Sequence, residues 1–193
     1  MNFHHHALVL EVVSQLHANG SWTGKTHVQK AFFLLQSRSA LQKKTDFTEN
    51  KLTSHDSPFE FVLYRHGPYS FELEHAIEEM SSYKALRIEP MNSYGVSLWG
   101  STNVAFLREK APLTEEEKAE INSVCRFIGN HDVKTLEQWA TAVWIRQREG
   151  ICETPEVAKR LHEVKPHISV ADAMLADTTI LPLIAGHLMF ATA

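Results

Sequence analysis

Leu8, Val12 and Leu16 recur four residues apart with Val9 and Val13 beside them, which predicts a helix over residues 5–18 that buries one stripe. Gly20 follows directly, where a left-handed cap residue is favoured. Val28, Ala31, Phe32 and Leu35 form the next stripe. Phe33 and Leu34 widen it, so a second helix starting near Thr26 is expected to be buried on most sides. Residues 42–58 are polar and lack a period, which reads as a loop. Residues 59–64, aromatic and branched between Pro58 and Gly67, predict a short strand. Gly67-Pro68 breaks it and turns the chain into a third helix over 70–84, with Leu73, Ile77 and Met80 inward. Residues 86–88 and 94–99 alternate apolar with polar around a turn at 90–93, the pattern of a β-hairpin.

The second half is helical and well punctuated. Thr114 and Glu117 make a capping box, with Leu113 placed to staple it, and the helix that follows carries Ile121, Val124, Cys125 and Ile128 on one face. Asp132 or Thr135 caps the next helix, whose stripe is Leu136, Trp139, Ala140 and Val143. Thr154-Pro155 opens a further helix that buries Val157, Leu161 and Val164 and ends at Pro166. Ser169 with Asp172 is a second capping box, opening the last helix.

The order helix, helix, short strand, helix, hairpin is that of a winged helix-turn-helix variant. Three short helices cannot bury their stripes alone, and the hairpin closes the open edge. The expected fold class is mostly α (α+β). A winged-helix-like domain with a small β-hairpin spans residues 1–110, and a C-terminal helical bundle, 111–193, packs on it.

Composition narrows the class. The chain has 193 residues, 44% of them hydrophobic and 22% charged, a globular balance. Net charge is −4, with 9 Lys/Arg against 10 Asp/Glu in residues 1–100 and 10 against 13 in the rest. Neither half carries the basic surplus that neutralising phosphates requires. Two cysteines, Cys125 and Cys152, suit a reducing compartment, and Cys125 on its apolar stripe is expected to be buried. No basic segment followed by an apolar core opens the chain, and the apolar stretch 180–193 is short of the roughly 20 residues a spanning helix needs. The expectation is a cytoplasmic protein with no membrane contact. His4, His5 and His6 read as a solvated N-terminus, because no further ligands follow at metal spacing. No metal and no cofactor is expected.

Residues 25–36 (KTHVQKAFFLLQ) resemble the LQK-x-x-FLLQ helix of YwgA-like proteins. Residues 61–73 (FVLYRHGPYSFEL) are similar to that family's F-x-x-Y-x-x-GPYS-x-x-L segment. Ala140-Thr141-Ala142-Val143-Trp144, and Val164-Lys165-Pro166 with Ser169, resemble its A-T helix and V-K-P-x-(I/L)-S turn. The resemblance covers most of the chain and implies a prokaryotic context and a fold more than an activity. The GPYS segment also resembles, over a shorter stretch, Panacea antitoxin-like and phage-adapter proteins. That similarity implies binding to another protein rather than catalysis.

Few residues invite chemistry. Residues 20–26 (GSWTGKT) come close to the phosphate loop G-x-x-x-x-G-K-[ST]. They have one residue too few between the glycines and follow a helix rather than a strand, so they read as a helix–helix turn capped by Thr23 or Thr26. His66 and Ser70 flank Gly67-Pro68-Tyr69 as a base and a nucleophile would, yet nothing orients the histidine and no glycine elbow holds the serine. Ser70 reads as the cap of the third helix, His131-Asp132 as a solvated histidine beside an N-cap, and the Glu115–Glu117 run as a complement to a helix N-terminus. No catalytic residue is expected.

In a winged helix the third helix enters the major groove. Here Glu72, Glu74, Glu78 and Glu79 face Lys84 alone, a charge that phosphates repel. The expected function is therefore a non-enzymatic protein-interaction or regulatory module of the antitoxin or adapter type. Its partner, a toxin, nuclease or regulatory protein, is placed at Arg65, His66, Gly67, Pro68, Tyr69 and Ser70. Three alternatives stay open: a nucleic-acid-binding regulator using Lys43, Lys44 and Lys51 with Arg65; an enzyme of unknown class around His66, Ser70 or Lys25; and a homodimer closed by the apolar residues 181–190.

Overall fold

A computed structural model of the chain describes residues 2–45, 58–91 and 95–184. These residues form a mostly helical protein with two small antiparallel hairpins. The chain opens with α1 (Phe3–Ala18), whose N-terminus is capped by the Asn2 side chain. Gly20, at φ +70°, closes the turn into α2 (Lys25–Thr45). Strands β1 (Val62–Tyr64) and β2 (Gly67–Tyr69) pair as a tight hairpin and lead into α3 (Phe71–Ser82). Strands β3 (Leu86–Met91) and β4 (Gly95–Gly100) form the second hairpin. Then come α4 (Val104–Lys110), α5 (Glu115–Ile128) and α6 (Val133–Trp144). A π-helical turn (Ile145–Glu149), α7 (Thr154–Val164) and α8 (Val170–Ile184) complete the described chain.

The apolar stripes meet in one core that draws on both halves of the chain. Leu10, Val13 and Leu16 of α1 and Phe32 and Leu34 of α2 pack with Leu73 and Ile77 of α3. Ile121, Val124 and Cys125 of α5, Leu136 and Val143 of α6 and Ile180 and Leu183 of α8 join the same cluster. A smaller cluster under α7 holds Ile145, Val157, Leu161 and Ile168. Arg146 pins α8 onto this end through Nε and Nη2, at 2.6 and 2.5 Å from the two carboxylate oxygens of fully buried Asp177. Among the described residues no helix is long and apolar enough to cross a membrane.

Several local expectations change. The second helix runs on to Thr45, four residues into the stretch read as a loop, while residues 46–57 lie outside the described residues. Pro90 and Met91 belong to β3 rather than to a turn, and residues 92–94 are not described. Residues 104–110, for which the sequence offered no pattern, form α4. Thr23 does not cap α2: its hydroxyl meets Ser97 Oγ at 2.9 Å and donates to the Leu98 carbonyl oxygen at 3.0 Å, tying the α1–α2 turn to β4. The Thr114–Glu117 capping box and the Asp132 cap form as expected. Finally, His6 is not a solvated terminal residue. It is buried in α1, with Nδ1 3.0 Å from the Tyr83 hydroxyl and Nε2 3.2 Å from Glu79 Oε2.

Candidate functional site

Gly67-Pro68 does not turn the chain from strand to helix. The turn is Arg65-His66, and Gly67-Pro68-Tyr69 runs back as β2, with Val62 opposite Tyr69 and Tyr64 opposite Gly67. Gly67 has φ +81°, the left-handed residue that lets a two-residue turn rejoin its strand. A proline is tolerated in a strand only where its missing N–H is not needed, as at the margin of this two-stranded sheet.

A strand pair this short has little stability of its own. It is held from beneath by polar side chains of distant elements. Gln29 of α2 exchanges two hydrogen bonds with the Ser70 backbone: Nε2 donates to Ser70 O and Oε1 accepts from Ser70 N, both at 2.8 Å. Two turns on, Gln36 Nε2 donates to Phe59 O at 2.9 Å. Lys30, 1% exposed, donates from Nζ to Pro68 O at 2.7 Å. Lys165 donates to the carbonyl oxygens of Tyr64 and Arg65. Glu137 of α6, itself buried, lies between the two lysines in charge, with Oε1 2.9 Å from Lys165 Nζ. Burial lowers the Lys30 ammonium pKa from 10.5 to about 7, against the pull of Glu137. Space is tight here: a Cβ on Gly67 would lie 3.0 Å from Thr141 Oγ1 and 3.7 Å from Lys30 Cε.

The opposite face of the hairpin meets solvent. Tyr64, Tyr69 and Phe71 touch one another, with ring centroids 5.8, 5.9 and 5.2 Å apart. Tyr64 is 52% exposed and Phe71 59%, with Val62 beside them at 43%. The Tyr69 hydroxyl donates to Glu74 Oε2 at 2.5 Å, and Glu74 Oε1 lies 3.2 Å from Lys25 Nζ. Burial and this hydrogen bond raise the Tyr69 pKa far above its ordinary value, and the same bond lowers that of Glu74. The hydroxyl therefore stays a donor.

Of the six residues singled out from sequence, Arg65 and His66 are exposed at the turn and Tyr69 is half-buried in the aromatic face. Gly67, Pro68 and Ser70 are buried and serve to hold the hairpin. The residues considered for catalysis have separate partners. His66 Nδ1 lies 3.6 Å from Glu137 Oε2, Ser70 Oγ caps α3 by accepting from Leu73 N, and Lys25 pairs with Glu74 and Glu78. The basic patch imagined for nucleic acid rests on Lys43, Lys44 and Lys51, whose side chains lie outside the described residues. Sequence reading missed Gln29, Lys30, Glu137 and Lys165. A partial signal was there: Lys30 is followed directly by Ala31, Phe32, Phe33, Leu34 and Leu35, and Glu137 lies between Leu136 and Trp139. It also missed Tyr64 and Phe71 as a surface, because isolated aromatic residues in a strand and a helix start read as core. Compared with family models and with curated proteins, the chain finds no match.

Proposed function

We propose that the protein is a non-enzymatic protein-interaction module of the antitoxin or adapter type, acting in the cytoplasm on a protein partner such as a toxin, nuclease or regulatory protein. The partner docks on the aromatic face of the β1–β2 hairpin and the first turn of α3. The observation that carries this reading is three aromatic rings in mutual contact, two of them more than half exposed, on a hairpin anchored by buried side chains from three helical segments. Rigid, exposed aromatic residues are the residue types that dominate binding energy at protein interfaces. The solvent side of α3, with Glu72 and Glu78 exposed and no arginine, weighs against a nucleic-acid reading.

The test is a Tyr64→Ala/Phe71→Ala double variant. Both side chains are already mostly in solvent, so thermal unfolding is expected to stay near that of the parent. Crosslinking in the native host, followed by mass spectrometry, is expected to recover a partner with the parent chain and to lose it with the variant. Recovery unchanged by the variant would refute this assignment of the surface.

A further inference from the structure

The aromatic face does not end at Phe71. The same ring lines a groove of about 560 Å³ between the first turn of α1 and α3, whose apolar wall also includes Phe59 and Ala76. Two carboxylates, Glu72 and Glu79, stand along this groove, and among the described residues no lysine or arginine lines it. They are seven residues apart on one helix, so they recur on one face roughly 10 Å apart along its axis. Asn2 and three histidines, His5, His6 and His75, make up the rest of the polar lining among the described residues. Burial lowers the pKa of His5 and His6, so near neutral pH these two do not offset the carboxylates. The groove is thus apolar in its wall and negative along its length, and it runs on from exposed rings that favour a cation above them.

Resting on the interaction-module reading, we propose that the partner presents a cationic amphipathic segment to this groove, with lysine or arginine side chains set to meet Glu72 and Glu79 and an apolar residue between them against Phe59 and Phe71. Nucleic acid is excluded by charge. A second copy of this chain would bring its own acidic α3 and is disfavoured for the same reason. The spacing specifies the ligand: cations seven positions apart on a helix span the same roughly 10 Å.

The probe is a synthetic helical peptide of alanine and leucine with two arginines seven positions apart, titrated into the isotopically labelled full chain and followed by amide chemical shifts. Two controls carry citrulline, a neutral isostere of arginine, or glutamate at those positions. The expected result is shift changes at residues 2–6, 59 and 71–79. Affinity should fall about tenfold with citrulline and vanish with glutamate. The Glu72→Gln/Glu79→Gln variant keeps the acceptor atoms used by the Glu60 amide and by His6, so it should fold normally and bind the arginine peptide no better than the parent binds citrulline. Equal binding of arginine and citrulline peptides, shifts confined to another surface, or no shifts at all overturns the proposal. If it fails while a partner is still captured through Tyr64 and Phe71, only the charge assignment falls. If no partner depends on those rings, the interaction reading falls with it.

Discussion

Gln29 and Ser70, 41 residues apart, pair through one side-chain amide and one peptide unit as two strands would pair, with both hydrogen bonds at 2.8 Å. The pairing fixes where β2 ends and α3 begins, and so the direction in which Tyr69 and Phe71 leave the hairpin. Gln29→Leu leaves the buried Ser70 N–H without a partner and leaves the Ser70 carbonyl oxygen only the Glu74 amide. The expected loss is roughly 1 to 3 kcal/mol in denaturant unfolding. Gln29→Glu, which keeps the acceptor and opposes the Ser70 carbonyl with a charge, is expected to be no better.

Lys30 makes stability depend on pH above neutrality. Its ammonium, with an ordinary pKa of 10.5, titrates near 7 in the folded chain because burial disfavours the charge. Between those values the unfolded chain keeps the proton and the folded lysine releases it. The folded state then binds fewer protons, and its stability rises as pH climbs through this window. The Lys30→Met variant is expected to lose that rise. Denaturant midpoints of parent and variant between about pH 7 and 10 check it; parallel curves would be evidence against a depressed Lys30.

Lys165 is the second anchor, and its loss takes from buried Glu137 its nearest cation and from the Tyr64 and Arg65 carbonyl oxygens their donor. Lys165→Met is expected to cost about 3 to 5 kcal/mol. Amide exchange should speed up first at residues 62–69, before the core helices respond.

Gly67→Ala meets two obstacles at one position. The backbone at φ +81° disfavours any side chain, and the new methyl crowds Thr141 Oγ1 at 3.0 Å. The expected loss is about 1 to 3 kcal/mol, read from the unfolding midpoint. Thr141→Ala in the same chain removes only the crowding and is expected to recover part of it.

Arg146 and Asp177 hold α8 in place from the π-helical turn. Arg146→Met strands a fully buried carboxylate and is expected to cost about 3 to 5 kcal/mol. The double variant with Asp177→Leu should recover most of that, because an apolar pair replaces the buried charges. A double-mutant cycle measures the coupling.

What the sequence made legible was everything set by periodicity or by a local cap. Leu8 to Leu16, Ile121 to Ile128 and the Thr114–Glu117 box were placed correctly because helix stripes and caps are decided within a few residues. The β1–β2 hairpin was not. Pro68 reads as a breaker from its own chemistry, and its place in a strand rests on groups such as Lys30 and Gln29 that tertiary folding brings in. Val104 to Lys110 shows too short a stripe for a period to register, with Leu107 its one buried residue. The turn at residues 65–70 was singled out from sequence, but half of those residues are buried struts. The exposed surface lies on Val62, Tyr64 and Phe71 beside them.

Lys165 meets the hairpin from 100 residues further along the chain. During synthesis residues 62–71 leave the ribosome long before their last anchor does, at a few residues per second to a few tens. Contacts so distant in sequence form late. The anchoring of the aromatic face is consequently complete only once the chain has been made through Lys165, whereas its α2 anchors are in place before the hairpin is.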